Sequence, residues 1–141
     1  MSCYLNIYLV PKEQEGVKAT PLYLTQYSRS SEVYRLIDEH MSIPFWSSEE
    51  EMPKAQLELR DIEEIEAEVD ECIKKDKERL NTLYKILEKG YNEDLKTEII
   101  DLEAYIREQE EIKIPLAALK IIVEESYNEW SDFGSVVINQ S

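Results

Sequence analysis

Three observations predict an α+β fold. Apolar residues alternate with period two near both ends of the chain, and they recur at three-four spacing through its long middle. Charge follows the same division. Residues 1–48 are Tyr-rich and close to neutral, whereas residues 49–132 are dense with charge, most of it negative. The expected architecture is a small antiparallel β-sheet, built from an N-terminal hairpin plus a C-terminal strand, with a short helix and a long antiparallel helical hairpin. All 141 residues read as one domain, with 1–48 and 131–141 as an α/β head and 54–130 as a helical arm.

The first strand is signalled by Cys3, Leu5, Ile7 and Leu9 alternating with Tyr4, Asn6, Tyr8 and Val10, and Pro11 ends it. A polar loop over 12–20 containing Gly16 leads to Pro21. There a second alternation sets Leu22 and Leu24 on one face and Tyr23, Thr25 and Tyr27 on the other. The loop is too long for a tight two-residue turn, so the hairpin is loose. Ser30 or Ser31 can cap the helix that follows. Glu32 stands where the helix dipole favours an anion, and Val33, Leu36 and Ile37 supply the apolar face. That helix stops before Pro44, because residues preceding proline avoid helical geometry. A connector over 45–53 then offers Phe45 and Trp46 to the core.

The long helix is expected to start within 54–61. Ile62, Ile65, Val69 and Ile73, then Leu80, Leu83 and Leu87, form its seam, interrupted by six consecutive charges over 74–79. Gly90 suits a left-handed helix end, and Asn92 followed by Glu93 and Asp94 restarts a helix whose seam is Leu95, Ile99, Leu102 and Ile106. The short linker makes the two arms antiparallel neighbours. Pro115 either kinks the return arm or opens a new helix with Leu116, Leu119, Ile122, Val123 and Tyr127 on its apolar face. A turn over 131–134 leads to a last strand at 136–138, giving three strands in all.

Composition narrows the function classes. A net charge of −15 opposes binding to phosphate backbones and anionic membranes, leaving either plain solubility or a basic partner. Cys3 and Cys72 are too few and too far apart for a disulfide framework. No secretory apolar segment and no run of roughly 18 apolar residues occurs, so the expected setting is cytoplasmic, with free thiols. One His and two distant Cys cannot supply a structural zinc site. There is no EF-hand loop, no Glu-x-x-His pair, and no Walker A, G-x-S-x-G or G-x-G-x-x-G pattern. No catalytic residue, metal ligand or cofactor is therefore assigned. The single histidine, His40, is placed by the dipole of the short helix whose end it occupies.

Three surfaces remain as candidates. Tyr4, Tyr8, Tyr23 and Tyr27 are expected on one side of the hairpin, where tyrosine offers a large contact area at low entropic cost and suits an interface. The alternative is that Tyr34, Trp46 or Trp130 folds over that side. Second, residues 49–71 hold eleven acids against Lys54 and Arg60, and Glu63, Glu64, Glu66, Glu68, Asp70 and Glu71 form the core of an acidic stripe. Such a stripe is either a solvated face or an imitation of a phosphate backbone. Third, Ser28, Arg29, Ser30 and Ser31 stand at a strand-to-helix junction, where amides and a guanidinium either merely cap the helix or bind a small anion such as a nucleotide.

The opening CYLNIYLVPKE, followed by PLYLTQYSRSSEVYRLIDEHM and a charged helical hairpin, resembles small proteins carried by bacteriophages and prophages. The resemblance covers mainly the first third and carries no catalytic residues with it. It implies a protein that acts by binding a host or phage protein, in some cases as an inhibitor of bacterial defence. The expected function is thus a non-enzymatic protein-interaction module that binds a protein partner or itself, as a homo-oligomer. The alternatives are an acidic inhibitor in a basic nucleic-acid-binding groove and a binder of a small anionic ligand at Arg29.

Overall fold

The structure, a computed structural model, describes residues 3–13, 16, 20–47 and 52–141. In chain order the elements are β1 (Tyr4–Pro11), β2 (Leu22–Ser28), α1 (Glu32–His40), β3 (Ala55–Leu57), α2 (Leu59–Lys89), α3 (Glu93–Ser126) and β4 (Phe133–Gln140). The fold is α+β, as the two periodicities require. The strands form one antiparallel sheet in the order β2-β1-β4-β3. The parts of the 12–20 loop and of the 45–53 connector at 14–15, 17–19 and 48–51 lie outside the described residues.

By contact the chain divides into two compact units, Met1–Ile65 with Leu116–Ser141, and Glu66–Pro115. The second is narrower than the arm expected over 54–130, because both ends of that span join the sheet unit. In the sheet unit Leu5, Ile7 and Leu9 share a face with their cross-strand partners Ile138 and Val136, and Leu57 joins them from β3. All six are nearly or fully buried, and Val33, Leu36, Ile37, Ile62, Ile65, Leu116, Leu119 and Val123 complete the core. Two contacts place α1 over this face: the Tyr34 hydroxyl lies 3.1 Å from Cys3 Sγ, and Gln140 Nε2 donates to Asp38 Oδ1 at 2.6 Å. Tyr127, expected on the apolar face of the last helix, is 59 % exposed and lies beyond the end of α3.

The fourth strand corrects the expected three. Residues 55–57 follow Pro53 and precede the helix proper. There Leu57 is held against Val136, while Glu58 opens α2 by donating its N–H to Asp61 Oδ2 at 2.9 Å. The connector differs too. Phe45 is 64 % exposed rather than a core plug; instead its neighbours clamp β4, with Trp46 N–H donating to the Gln140 carbonyl and Gln140 N–H to the Pro44 carbonyl. Gly134 lies where β1 and β4 run closest. A Cβ there would collide with the Val10 carbonyl oxygen and crowd the Pro11–Lys12 peptide, so the β4 strand needs glycine at this point.

The helical unit is an antiparallel pair. Lys113 Nζ meets Asp70 at 2.7 Å and Lys77 Nζ meets Glu110 at 2.9 Å, while Arg79 pairs with Glu98 and the Tyr84 hydroxyl with Glu103. Its seam buries Val69, Ile73 and Leu83 from α2, and Ile99, Ile106 and Ile112 from α3. The connection is not the expected left-handed glycine end, since Gly90 does not take positive φ. Its N–H bonds to the Leu87 carbonyl in a tightened last turn. Asn92 restarts the chain as expected, its Oδ1 accepting the Asp94 N–H at 2.9 Å. Pro115 neither opens a new helix nor ends the old one, because α3 continues through it.

Candidate interaction surface

The second face of the sheet is built by the even-numbered residues of β1. Tyr8 stands opposite Tyr23 on β2 and Val137 on β4, and Asn6 opposite Gln26 and Asn139, so all six project to the same side. Tyr8 and Tyr23 make an edge-to-face contact with ring centroids 5.8 Å apart. Burial and then the neighbouring Tyr23 push the Tyr8 hydroxyl above its ordinary pKa. Tyr23 is 56 % exposed and Leu22 54 %, while Tyr4 and Tyr8 are half-buried.

Tyr27 does not belong to this face. The register steps at a bulge: Thr25 pairs with Ile7 but Tyr23 pairs with Tyr8, leaving Leu24 unopposed. That extra residue breaks the alternation, so Tyr27 falls opposite Leu5 on the core side, where burial raises its pKa. The aromatic face is thus Tyr4, Tyr8 and Tyr23. Tyr34 does not fold over it, being engaged with Cys3 on the core side, and Trp130 is 93 % exposed.

Behind the tyrosines lies a buried polar pair that the sequence did not single out. Asn6 Nδ2 donates to Asn139 Oδ1 at 3.1 Å and to Ser141 Oγ at 2.9 Å; Asn6 is 5 % exposed and Asn139 fully buried. Its only trace in the sequence is an asparagine within the first alternation and another directly after the apolar run Val136, Val137 and Ile138.

None of the residues of the four strands is charged, in a chain that is 33 % charged. Charges stand immediately outside them, at Lys12, Arg29, Glu58 and Asp132. Among the four, β2 lies at one end of the sheet, and no other strand among the described residues covers its outer edge.

The remaining candidates are dispersed or already engaged. At the Ser28–Ser31 junction, Arg29 N–H donates to the Cys3 carbonyl and Ser31 N–H to the Ser28 carbonyl, and the Ser28 and Ser30 hydroxyls bond each other at 2.7 Å. Ser31 occupies the N-cap position without a side-chain cap bond, and Glu32, paired with Arg35, puts a carboxylate in the first turn where an anion would bind. The six acids of the stripe wind around α2. At 100° per residue Glu64, Glu68 and Glu71 form one group and Glu63, Glu66 and Asp70 another. Glu64 lies 3.1 Å from His40 Nε2, Asp70 pairs with Lys113, and Glu71 is 3.9 Å from Lys75. His40 also lies 3.5 Å from Asp61, so it ties the end of α1 to the start of α2.

Among the described residues no group of three His, Cys, Asp or Glu side chains is placed to hold a metal ion, and no helix is long and apolar enough to cross a membrane. Cys3 and Cys72 are unpaired thiols. Comparisons with protein-family models, curated proteins and solved structures find no match. The functional reading therefore rests on the geometry of the surface.

Proposed function

We propose that the protein is a non-enzymatic interaction module that engages a protein partner through the β2 side of its sheet, with Tyr23 and Tyr8 at the centre of the contact and exposed Leu22, opposite Leu9, beside them at the strand's end. One observation carries this reading: an uncharged edge strand with an exposed tyrosine and leucine, on a molecule of net charge −15. Aromatic side chains in a neutral patch gain from desolvation on contact, whereas carboxylates resist it. The resemblance of the first third to phage and prophage proteins fits a protein that works by binding, in a bacterial cytoplasm.

A photo-activatable residue placed at Leu22 tests this. Irradiation in cells should give a discrete protein adduct that Tyr8→Ser/Tyr23→Lys abolishes, while the same probe at exposed Glu68 gives none. Equal labelling from both positions would overturn the assignment of the surface.

A further inference from the structure

The alternation of backbone hydrogen bonds fixes which groups of β2 face outward. Tyr4 and Ser141 exchange both of their backbone bonds, at 3.1 and 3.0 Å, so Tyr4, Asn6 and Tyr8 direct their N–H and C=O groups towards β4. Cys3, Leu5 and Ile7 face β2 instead, as the Arg29 N–H to Cys3 carbonyl bond of 3.0 Å records. Gln26, opposite Asn6, consequently directs both its N–H and its C=O away from β1 into the open edge. Of the devices that ordinarily blunt an edge strand, residues 22–28 contain no lysine, proline or inward-pointing charge and carry only the bulge at Leu24. The bulge at Leu24 shapes the first half of the strand and leaves Thr25–Ser28 in regular register.

We propose that this edge pairs with β2 of a second copy of the chain, antiparallel about a two-fold axis at Gln26, joining two four-stranded sheets into one of eight strands. The proposal rests on the interaction reading above and names the partner. Charge restricts which surface of a second copy can meet this edge. Two copies, each at −15, repel over most of their surfaces, and contact through the helices would set carboxylates against carboxylates. The strands bring no charge, so a second β2 meets this edge without a local like-charge contact, and only the net repulsion between the chains opposes it. About the axis, the two Gln26 residues exchange both backbone bonds, the isologous arrangement a two-fold demands. Association opposed by net repulsion strengthens as salt rises, the reverse of what an acidic mimic on a basic partner would show.

The test is molar mass by light scattering on the intact chain across protein concentration, at low and high salt, with two variants. Gln26→Pro removes the outward N–H, which pairs with no other strand among the described residues, and an edge position tolerates it. Gln26→Glu keeps the shape and sets two carboxylates across the axis. The expected result is twice the 16.6 kDa chain mass for the wild type, favoured by salt. Both variants should return to the chain mass with unchanged circular dichroism, and Gln26→Glu alone decides the matter if the proline variant does not fold. A wild type that stays at the chain mass throughout overturns self-pairing and leaves the cross-linking result at Leu22 to stand or fall separately. A double-mass species that persists in Gln26→Glu overturns the β2 edge as its interface.

Discussion

Replacing Gln109 by leucine should stabilise the helical unit. Gln109 lies in the seam between Ile106 and Ile112 on α3, is 6 % exposed, and has its Oε1 buried without a hydrogen-bond partner. The Asp70–Lys113 and Lys77–Glu110 pairs bracket it from the α2 side, so it faces the start of the charged run over 74–79. A buried acceptor left unsatisfied costs about 1–3 kcal/mol. A leucine of similar volume removes that cost, at a repacking penalty that stays below about 1.5 kcal/mol for volume-conserving changes. The net gain is therefore on the order of 1–2 kcal/mol. With a urea dependence of about 1–3 kcal/mol per molar, the midpoint followed by far-UV circular dichroism moves up by roughly 0.3–2 M. Gln109→Ala, which also removes the orphaned oxygen but opens a void, serves as the control and should gain less. A midpoint for Gln109→Leu equal to or below that of the wild type would refute the reasoning, and would mean that Gln109 is satisfied in solution.

Two further expectations follow from single residues. Gly134→Ala should destabilise the sheet unit by about 1–3 kcal/mol through its collision with the β1 backbone, seen as a lower thermal midpoint, whereas Gly90→Ala, with open space around it, should not. Tyr34 is pushed up to about 12, first by burial and then by its hydrogen bond to Cys3, so its neutral form is favoured in the folded state over an unfolded value of 10.0. Its contribution is complete below pH 10 and is lost as pH rises towards 12; a pH series of urea midpoints should show that decline, reduced in Tyr34→Phe.

The elements with strong periodicity were legible from the sequence: β1, α1 and the seams of α2 and α3 each carry several apolar residues at one spacing. What escaped has local causes. Three residues of β3 are too few to display a period, and only Leu57 reports burial. Tyr27 was misassigned because a bulge is invisible to strict alternation, and one extra residue at Leu24 reverses every side chain beyond it. Gly90 carries the residue type of a left-handed cap without the conformation. The acidic stripe failed as a unit for a geometric reason, since six acids within nine positions must spread around a helix. Tyr4, Tyr8 and Tyr23 share one face and Tyr27 does not, and the edge position of β2 beside them depends on strand order, which no local pattern encodes.

Strand order raises the question of what holds β1 against β4 in register, since aliphatic alternations tolerate a slip of two residues. Such a slip returns Leu5, Ile7 and Leu9 to the same face, and in one direction it sets Leu5 opposite Ile138 and Ile7 opposite Val136. It does not preserve the asparagines. Moving β4 by two in either direction would put Asn6 against Val137 or Ser141, and Asn139 against Tyr4 or Tyr8, breaking the bond between the two amides. The pair is imperfect even in register, because Asn139 Nδ2 has no hydrogen-bond partner among the described residues, so it contributes little net stability. Its effect is to penalise the wrong alignments. Asn139→Val alone should therefore cost about 1–3 kcal/mol, since it leaves one of the two Asn6 Nδ2 hydrogens unpaired in a buried site while the other keeps Ser141 Oγ. Asn6→Val/Asn139→Val should recover most of that loss while broadening the backbone amide spectrum of β1 and β4 as slipped registers become populated. A double variant with sharp, single resonances would show that the bulges and Gly134 set the register without the amides. A double variant as unstable as the sum of the single changes would show that the asparagines act independently, against the pairing argument.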